Sequence, residues 1–319
     1  MVRANWRDCR KTALFALRTD PPRGPSVKSP DTVRLGAIPL GKTGGSLHRK
    51  PMQNMKDGSR DAPAARPAAT VVVFRRSATG GPAQVLLQER SGAMAFAGGA
   101  TVFPGGAVDL SDHALVRALA ASLPQVAALD PDDAAARVAA VREALEETGL
   151  IVGVTGPVTA ARAVAARQRL LDGDTLGAIL ADEGWTIDFD SLIPFARWCP
   201  RQLEAKVYDT RFYLADVGTG ALDLAADATE TAHVFWASAQ DALDLADAGR
   251  IRVIFPTRRN LERLALWPDF ATARAHALVT PVQTISPWIE LRDGVRWLMI
   301  PSDAGYPIVG EPLDGALRG

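Results

Sequence analysis

Apolar and polar positions settle into regular periods only from about residue 67 onward. Residues 69–74 form a β-branched apolar run and 84–88 a second, with Gly80-Gly81-Pro82 between them. That arrangement predicts a hairpin. Residues 96–103 read as an extended stretch leading into Pro104-Gly105-Gly106, and 113–121 as a helix ending near Pro124. Asp130-Pro131 then opens the most strongly marked element, a helix over 131–148. Asp130 serves as its N-cap, Pro131 sits in its first turn, and Gly149 supplies its stop. Strands are expected at 150–154, 195–198, 207–217 and 230–236. Helices are expected at 157–171, 175–183, 238–248, 257–266 and 269–277. Residues 285–290 and 295–300, around Asp293-Gly294, predict a last hairpin. Strands and helices mix without strict βαβ alternation, which predicts one α/β or α+β domain of about 250 residues.

Within 131–148, Ala134, Val138, Val141 and Leu145 form one apolar stripe at 100° per residue. Glu143, Glu146 and Glu147 fall on the opposite face, related by i,i+3 and i,i+4, so their carboxylates are neighbours. Periodicity alone fits a solvated acidic face equally well. Two energetic points weigh against that reading. Like charges at this spacing repel by a few tenths of a kcal/mol per pair. They also crowd the last turn, where the helix dipole disfavours each anion by about 0.3–1 kcal/mol. Arg142 offsets only part of this. A bound divalent cation reverses the sign, and carboxylate-only ligation favours Mg²⁺ or Mn²⁺ over Zn²⁺.

Composition narrows the class. At 319 residues and 47% apolar, the chain is long enough for a well-buried core and too apolar for disorder throughout. No apolar run reaches 18 residues, so no membrane span is expected. The formal charge of zero hides a split: residues 1–66 hold 14 Lys+Arg against 5 Asp+Glu, and the remainder 22 against 31. An acidic body argues against nucleic acid as partner. Residues 1–66, rich in Arg, Lys, Pro, Gly and Ser, read as a disordered basic leader, and 67–312 as the folded domain with a short tail to 319. Cys9 and Cys199 cannot build a disulfide framework, and four scattered histidines do not suggest a His-based metal site. Gly36 to Thr43 spells a phosphate-binding P-loop, but no buried strand leads in and Gly44, Gly45 and Pro51 follow where a helix is needed. That match is read as a decoy.

Gly106, five residues, Asp112 and, much later, Arg142-Glu143-Ala144-Leu145-Glu146-Glu147-Thr148-Gly149-Leu150 together resemble the signature of the Nudix hydrolases. The nine-residue second half matches closely. Asp112 stands where the family has Glu, and the usual seven-residue spacer is replaced by the 29 residues 113–141, placing an insertion at 113–135. Such an insertion resembles the coenzyme A diphosphatase-like branch. So do the length and ends of the segment from Leu86-Leu87-Gln88-Glu89-Arg90-Ser91 to Gly99-Ala100-Thr101-Val102-Phe103-Pro104-Gly105-Gly106, although Met94 and Ala97 depart from that branch's usual Leu and His. The segments 192–198, 206–213 and 256–261 resemble the same branch.

The resemblance implies an α/β/α sandwich with a mixed sheet and helical insertions. It implies hydrolysis of a nucleoside diphosphate-linked small molecule, coenzyme A or an acyl-coenzyme A first, by water attack on phosphorus. The alternatives are another Nudix substrate, such as NADH, ADP-ribose or a nucleotide, and a catalytically silent regulatory module. Glu143, Glu146 and Glu147 are the expected ligands of Mg²⁺ or Mn²⁺, and Glu146, Glu147, Arg142 and Glu230 the expected catalytic set, with Asp227 as alternative to Glu230. Arg90, Gly105, Gly106 and Arg258 are the expected substrate contacts, with Arg259 as alternative to Arg258. Trp198, Phe212 and Tyr213 read as core. The Arg- and Ala-rich coding bias and the Leu317-Arg318-Gly319 end, which is no peroxisomal address, fit a cytoplasmic enzyme. A homodimer is compatible with all of this.

Overall fold

A computed structural model describes residues 64–77, 80–91, 98–200, 207–217 and 231–316. The chain divides after Asp57, and the described residues all belong to the second unit. Residues 1–63 of the expected leader, the P-loop-like segment, Asp227 and Glu230 lie outside the described residues, while Arg66, read as the leader's last residue, opens the first strand.

In chain order the elements are β1 (Arg66–Arg75), β2 (Gln84–Arg90), β3 (Thr101–Val102), β4 (Gly105–Ala107), α1 (Leu110–Ala120), α2 (Pro124–Ala127) and α3 (Pro131–Thr148). Next come β5 (Val154–Thr155), α4 (Ala160–Leu171), α5 (Leu176–Glu183), β6 (Thr186–Ile187), β7 (Ile193–Trp198), β8 (Tyr208–Asp216), β9 (Thr231–Ser238) and α6 (Ala239–Asp247). The chain ends with α7 (Phe255–Leu264), α8 (Phe270–Val279), β10 (Thr284–Ile285), β11 (Trp288–Arg292), β12 (Val295–Met299), β13 (Gly310–Pro312) and α9 (Leu313–Ala316).

The main sheet runs β10-β7-β8-β1-β2-β3, with β4 also paired to β1 and β9 to β2. It is mixed: β1 pairs β8 in parallel and β2 antiparallel. Residues alternate between its two faces, as a pleat requires. Ala69, Val71, Val73 and Leu86 enter one core with α3, while Val72, Phe74, Val85 and Leu87 enter another with α7 and α8 residues. This is an α/β/α sandwich, as the resemblance implied.

One irregularity positions the site. β1 pairs β2 only at Phe74↔Val85 and Arg75↔Gln84. Farther back, β4 takes the place beside β1, with Thr70↔Gly105 and Ala69↔Gly106. The sheet therefore forks, and Gln88 of β2 and Gly105 of β4 stand on its two prongs.

Helix α3 has the bounds the pattern predicts. Asp130 accepts from the Asp133 amide at 2.7 Å, and Gly149 ends the helix at φ 73°. The predicted stripe Ala134, Val138, Val141 and Leu145 is fully buried. The rest of the helix is not a solvated face. Ala135, Ala136, Ala139, Ala140 and Ala144 are buried too, because small side chains let α3 lie close to neighbours on more than one side. Trp198, Phe212 and Tyr213 are core residues, as expected.

Other boundaries shift. Of the strand expected at 150–154 only Val154 joins a strand; Leu150, Ile151 and Val152 are buried without ladder pairing. The strand expected to end at Phe103 spans Thr101–Val102, and residues 96–97 lie outside the described residues. The last hairpin turns at Asp293 (φ 48°) and Gly294 (φ 79°), the left-handed pair that a two-residue turn requires.

Candidate active site

The C-terminal half of α3 faces the fork in the sheet. Arg142 is its hub. Its Nε and Nη2 donate to the two oxygens of Asp112 at 3.1 and 3.0 Å, a bidentate pair across 30 residues of chain. Nη2 also donates to the Ala107 carbonyl at 2.9 Å. Nη1 donates to Glu143 at 2.8 Å and to Glu146 at 3.3 Å. Asp112, 1% exposed, accepts in addition from the Asp109 amide at 2.8 Å, closing the capping box of α1. The Asp that stands in place of the family's Glu is thus fully used as an anchor for Arg142. The strand–loop–helix segment from β4 to α1 is bolted to α3 through it.

Glu147 is held by a different pair. It is 3% exposed, and its Oε2 accepts from the Gln88 side-chain amide at 2.6 Å and from the Gly105 backbone amide at 2.8 Å. Glu143 lies against Gly106, where a Cβ would fall 2.4 Å from Glu143 Oε1.

The electrostatics follow from burial and crowding. Burial, reinforced by the Glu146 charge and opposed by Arg142, pushes the Glu143 carboxyl up to about 7. Burial and the Glu143 charge push Glu147 up to about 8, against the pull of Gly105, Gln88 and Arg90. Burial works against the Arg142 charge as well, but Asp112 and Glu143 outweigh it and keep the guanidinium protonated. The cluster is therefore short of positive charge. Among the described residues no three His, Cys, Asp or Glu side chains are already gathered around a cation position. Glu143 and Glu146 instead converge on Arg142 Nη1, so a cation would compete with that guanidinium. The donor set, oxygen only and deficient in positive charge, fits a hard divalent ion.

Arg90 sits at the end of β2 beside Glu147, and its buried Nε has no hydrogen-bond partner among the described residues. Thr231, the residue after Glu230, pairs with Arg90. Arg258 is not brought to this site. It lies in α7, across the sheet, in ion pairs with Asp247 at 2.7 Å and Glu262 at 3.3 Å. Arg259 is on the same helix, paired with Glu262 and Glu311.

Two residues escaped the sequence reading. Gln88 reads in the sequence as the end of a strand and as part of the coenzyme A-like segment, with no role of its own. Arg167 of α4 donates from Nε to the Glu146 carbonyl at 2.9 Å and so satisfies one of the orphan carbonyls at the end of α3. Gln88 opens the polar run Gln88-Glu89-Arg90 at the end of its strand, so period alone does not single it out. No signal marks Arg167 among the arginines of its helix either.

The glycines give a direct test. At Gly105 a Cβ would fall 2.3 Å from the Ala69 carbonyl oxygen, a backbone atom that cannot yield. At Gly106 the obstacle is the end of the flexible Glu143 side chain, which can swing away. Gly106→Ala is therefore expected to leave the melting midpoint nearly unchanged. It should lower turnover about tenfold or more by displacing that carboxylate. Turnover and thermal unfolding measured on the same preparation check this, and equal losses in both would refute it.

No family model and no curated protein matches the chain. Solved structures do. A NUDIX hydrolase from Alicyclobacillus acidocaldarius is similar over 66% of this chain and 96% of its own, with 28% identity and a TM-score of 0.56. More distant matches include the M. smegmatis Nudix hydrolase RenU, at 16% identity over 68% of this chain and 89% of its own, TM-score 0.35. The NUDIX domain of Shewanella oneidensis NrtR, solved with ADP ribose, matches at 15% identity over 62% and 85%, TM-score 0.34. The α/β/α fold is thus shared with a solved Nudix hydrolase, and the Arg142–Leu150 segment that resembles the Nudix signature forms the C-terminal part and cap of α3. That likeness supports a pyrophosphate hydrolase activity in general. Among the described residues no helix is long and apolar enough to cross a membrane.

Proposed function

We propose that this enzyme hydrolyses the diphosphate of coenzyme A or an acyl-coenzyme A, with Mg²⁺ or Mn²⁺ held by Glu143, Glu146 and Glu147. The observation that carries the metal reading is the cluster itself. Three carboxylates share the end of one helix, two of them are raised by burial and mutual repulsion, and all present hard oxygen donors. When bound, the cation would neutralise the diphosphate and lower the pKa of an attacking water. The chain's own residues orient the rest. Arg142 and Asp112 fix the loop–helix geometry, and Gly105 and Gly106 keep that loop free of side chains beside the carboxylates. Glu230 is the proposed further carboxylate of the reaction.

Support for the substrate comes from the Arg90-to-Gly106 segment and its likeness to the coenzyme A branch. Arg90 adds a buried guanidinium N–H beside Glu147 with no protein acceptor among the described residues, suited to a phosphate oxygen. The products would be 3′,5′-ADP and a 4′-phosphopantetheine species, with the thiol end untouched.

The test is a product-resolved hydrolysis screen with Mg²⁺ and with Mn²⁺ over coenzyme A, acyl-coenzyme A, NADH, ADP-ribose and nucleoside triphosphates. Cleavage of coenzyme A or its thioester in preference to the others is expected. The Met94 and Ala97 departures favour NADH or ADP-ribose as the second reading, and coenzyme A left intact while those are cleaved would establish it. A charge-assisted hydrogen bond contributes about 1.5–3 kcal/mol. Arg90→Ala should therefore raise KM about tenfold or more, with a smaller change in kcat.

A further inference from the structure

A buried primary amide needs hydrogen-bond partners, and the Glu147 carboxylate is one that Gln88 has. Gln88 is 0% exposed, in a strand whose neighbours Leu86 and Leu87 are also fully buried. An apolar residue would fill the position without the desolvation cost of a primary amide, which is recovered only when its groups are hydrogen-bonded. Gln88 lies on the α3 side of the strand, two residues from Leu86, and its Nε2 donates to Glu147 Oε2 at 2.6 Å. The amide turns its NH₂ toward Glu147, the orientation that a metal-bound, ionised carboxylate requires, since such a group only accepts. The Gly105 backbone amide donates to the same oxygen at 2.8 Å. The two donors come from different strands, β2 and β4, on the two prongs of the fork. Together they prevent rotation of the carboxylate about its last bond. Both bonds fall on Oε2, so Oε1 takes no share in them.

We infer that Gln88 is a positioning residue. With Gly105 it clamps one oxygen of Glu147, so that the other is presented in a fixed direction to the divalent cation. Arg142 serves Glu143 and Glu146, and Gln88 serves Glu147. The inference rests on the metal reading above and goes beyond it by assigning a supporting residue outside the signature helix. Partners of this kind, hydrogen-bonded to a metal-ligating carboxylate, change metal affinity or activity about 10- to 100-fold when removed.

The test uses the full chain, substrate-free, with Mn²⁺ titrated and free ion followed by electron paramagnetic resonance. Gln88→Met keeps the length and removes the donor. Its dissociation constant for Mn²⁺ is expected to rise about tenfold or more, with the melting midpoint and the KM for the diphosphate substrate little changed. Gln88→Leu is the second variant if the first does not fold. Glu147→Gln is the reference. Weakened Mn²⁺ binding in Glu147→Gln but wild-type binding in the folded Gln88 variant would overturn the inference and leave the metal reading standing. Unchanged binding in Glu147→Gln as well would overturn both. Loss of fold in both Gln88 variants would assign Gln88 to stability and overturn the positioning role.

Discussion

Glu147→Gln should abolish most turnover while leaving the protein folded. The amide keeps the shape, and its carbonyl oxygen can still accept from Gly105 and Gln88, so the strand–helix contacts survive. What it loses is the negative charge. Lewis-acid and charge-stabilising contributions of a bound cation are worth several kcal/mol. At about 1.4 kcal/mol per tenfold in rate, a fall of about 100- to 1000-fold is expected. Burial holds Glu147 up to about 8, so its ionised form is costly in the folded chain. The neutral variant is therefore expected to melt no lower than wild type in metal-free buffer. Steady-state kinetics paired with thermal unfolding check both halves. Turnover near wild type would mean the acidic cluster has no part in the reaction.

The opposite balance is expected at Arg142. Its removal leaves Asp112, 1% exposed, without its bidentate partner, and frees the Ala107 carbonyl and two glutamates. Breaking a buried pair from one side costs about 3–5 kcal/mol. Arg142→Met should therefore lower the unfolding free energy by about that much. Arg142→Lys should recover little, because an ammonium cannot span both Asp112 oxygens. Chemical denaturation with the midpoint and slope both recorded checks this, and a loss under 1 kcal/mol would show that the pair is not the bolt between α1 and α3.

Helix α3 was legible in the sequence because its ends carry their own chemistry, Asp130-Pro131 at the start and Gly149 at the stop. Its apolar stripe was legible for the same reason of period. Its burial beyond that stripe was not, since alanine has too little side chain to mark a face. That is why periodicity could not separate a solvated acidic face from an enclosed one, and why the charge argument had to decide. The meeting of Asp112 with Arg142 spans 30 residues and no local pattern marks it; the resemblance named both residues without pairing them. Leu150 to Val152 read as strand because buried apolar runs look alike whether or not a partner strand is present. Arg258 could not be told from Arg90 by residue type. Only the fold puts one beside Glu147 and the other across the sheet among Asp247 and Glu262.

The central claim is that the carboxylates closing α3 work through a divalent cation on a diphosphate. Hydrolysis of coenzyme A and the other diphosphates by EDTA-treated enzyme, before and after adding Mg²⁺ or Mn²⁺, tests it most directly. The account predicts no turnover in EDTA and full recovery on adding either ion to wild type, with recovery in Glu147→Gln about 100- to 1000-fold lower. Undiminished hydrolysis in EDTA, or equal recovery in Glu147→Gln, would contradict it.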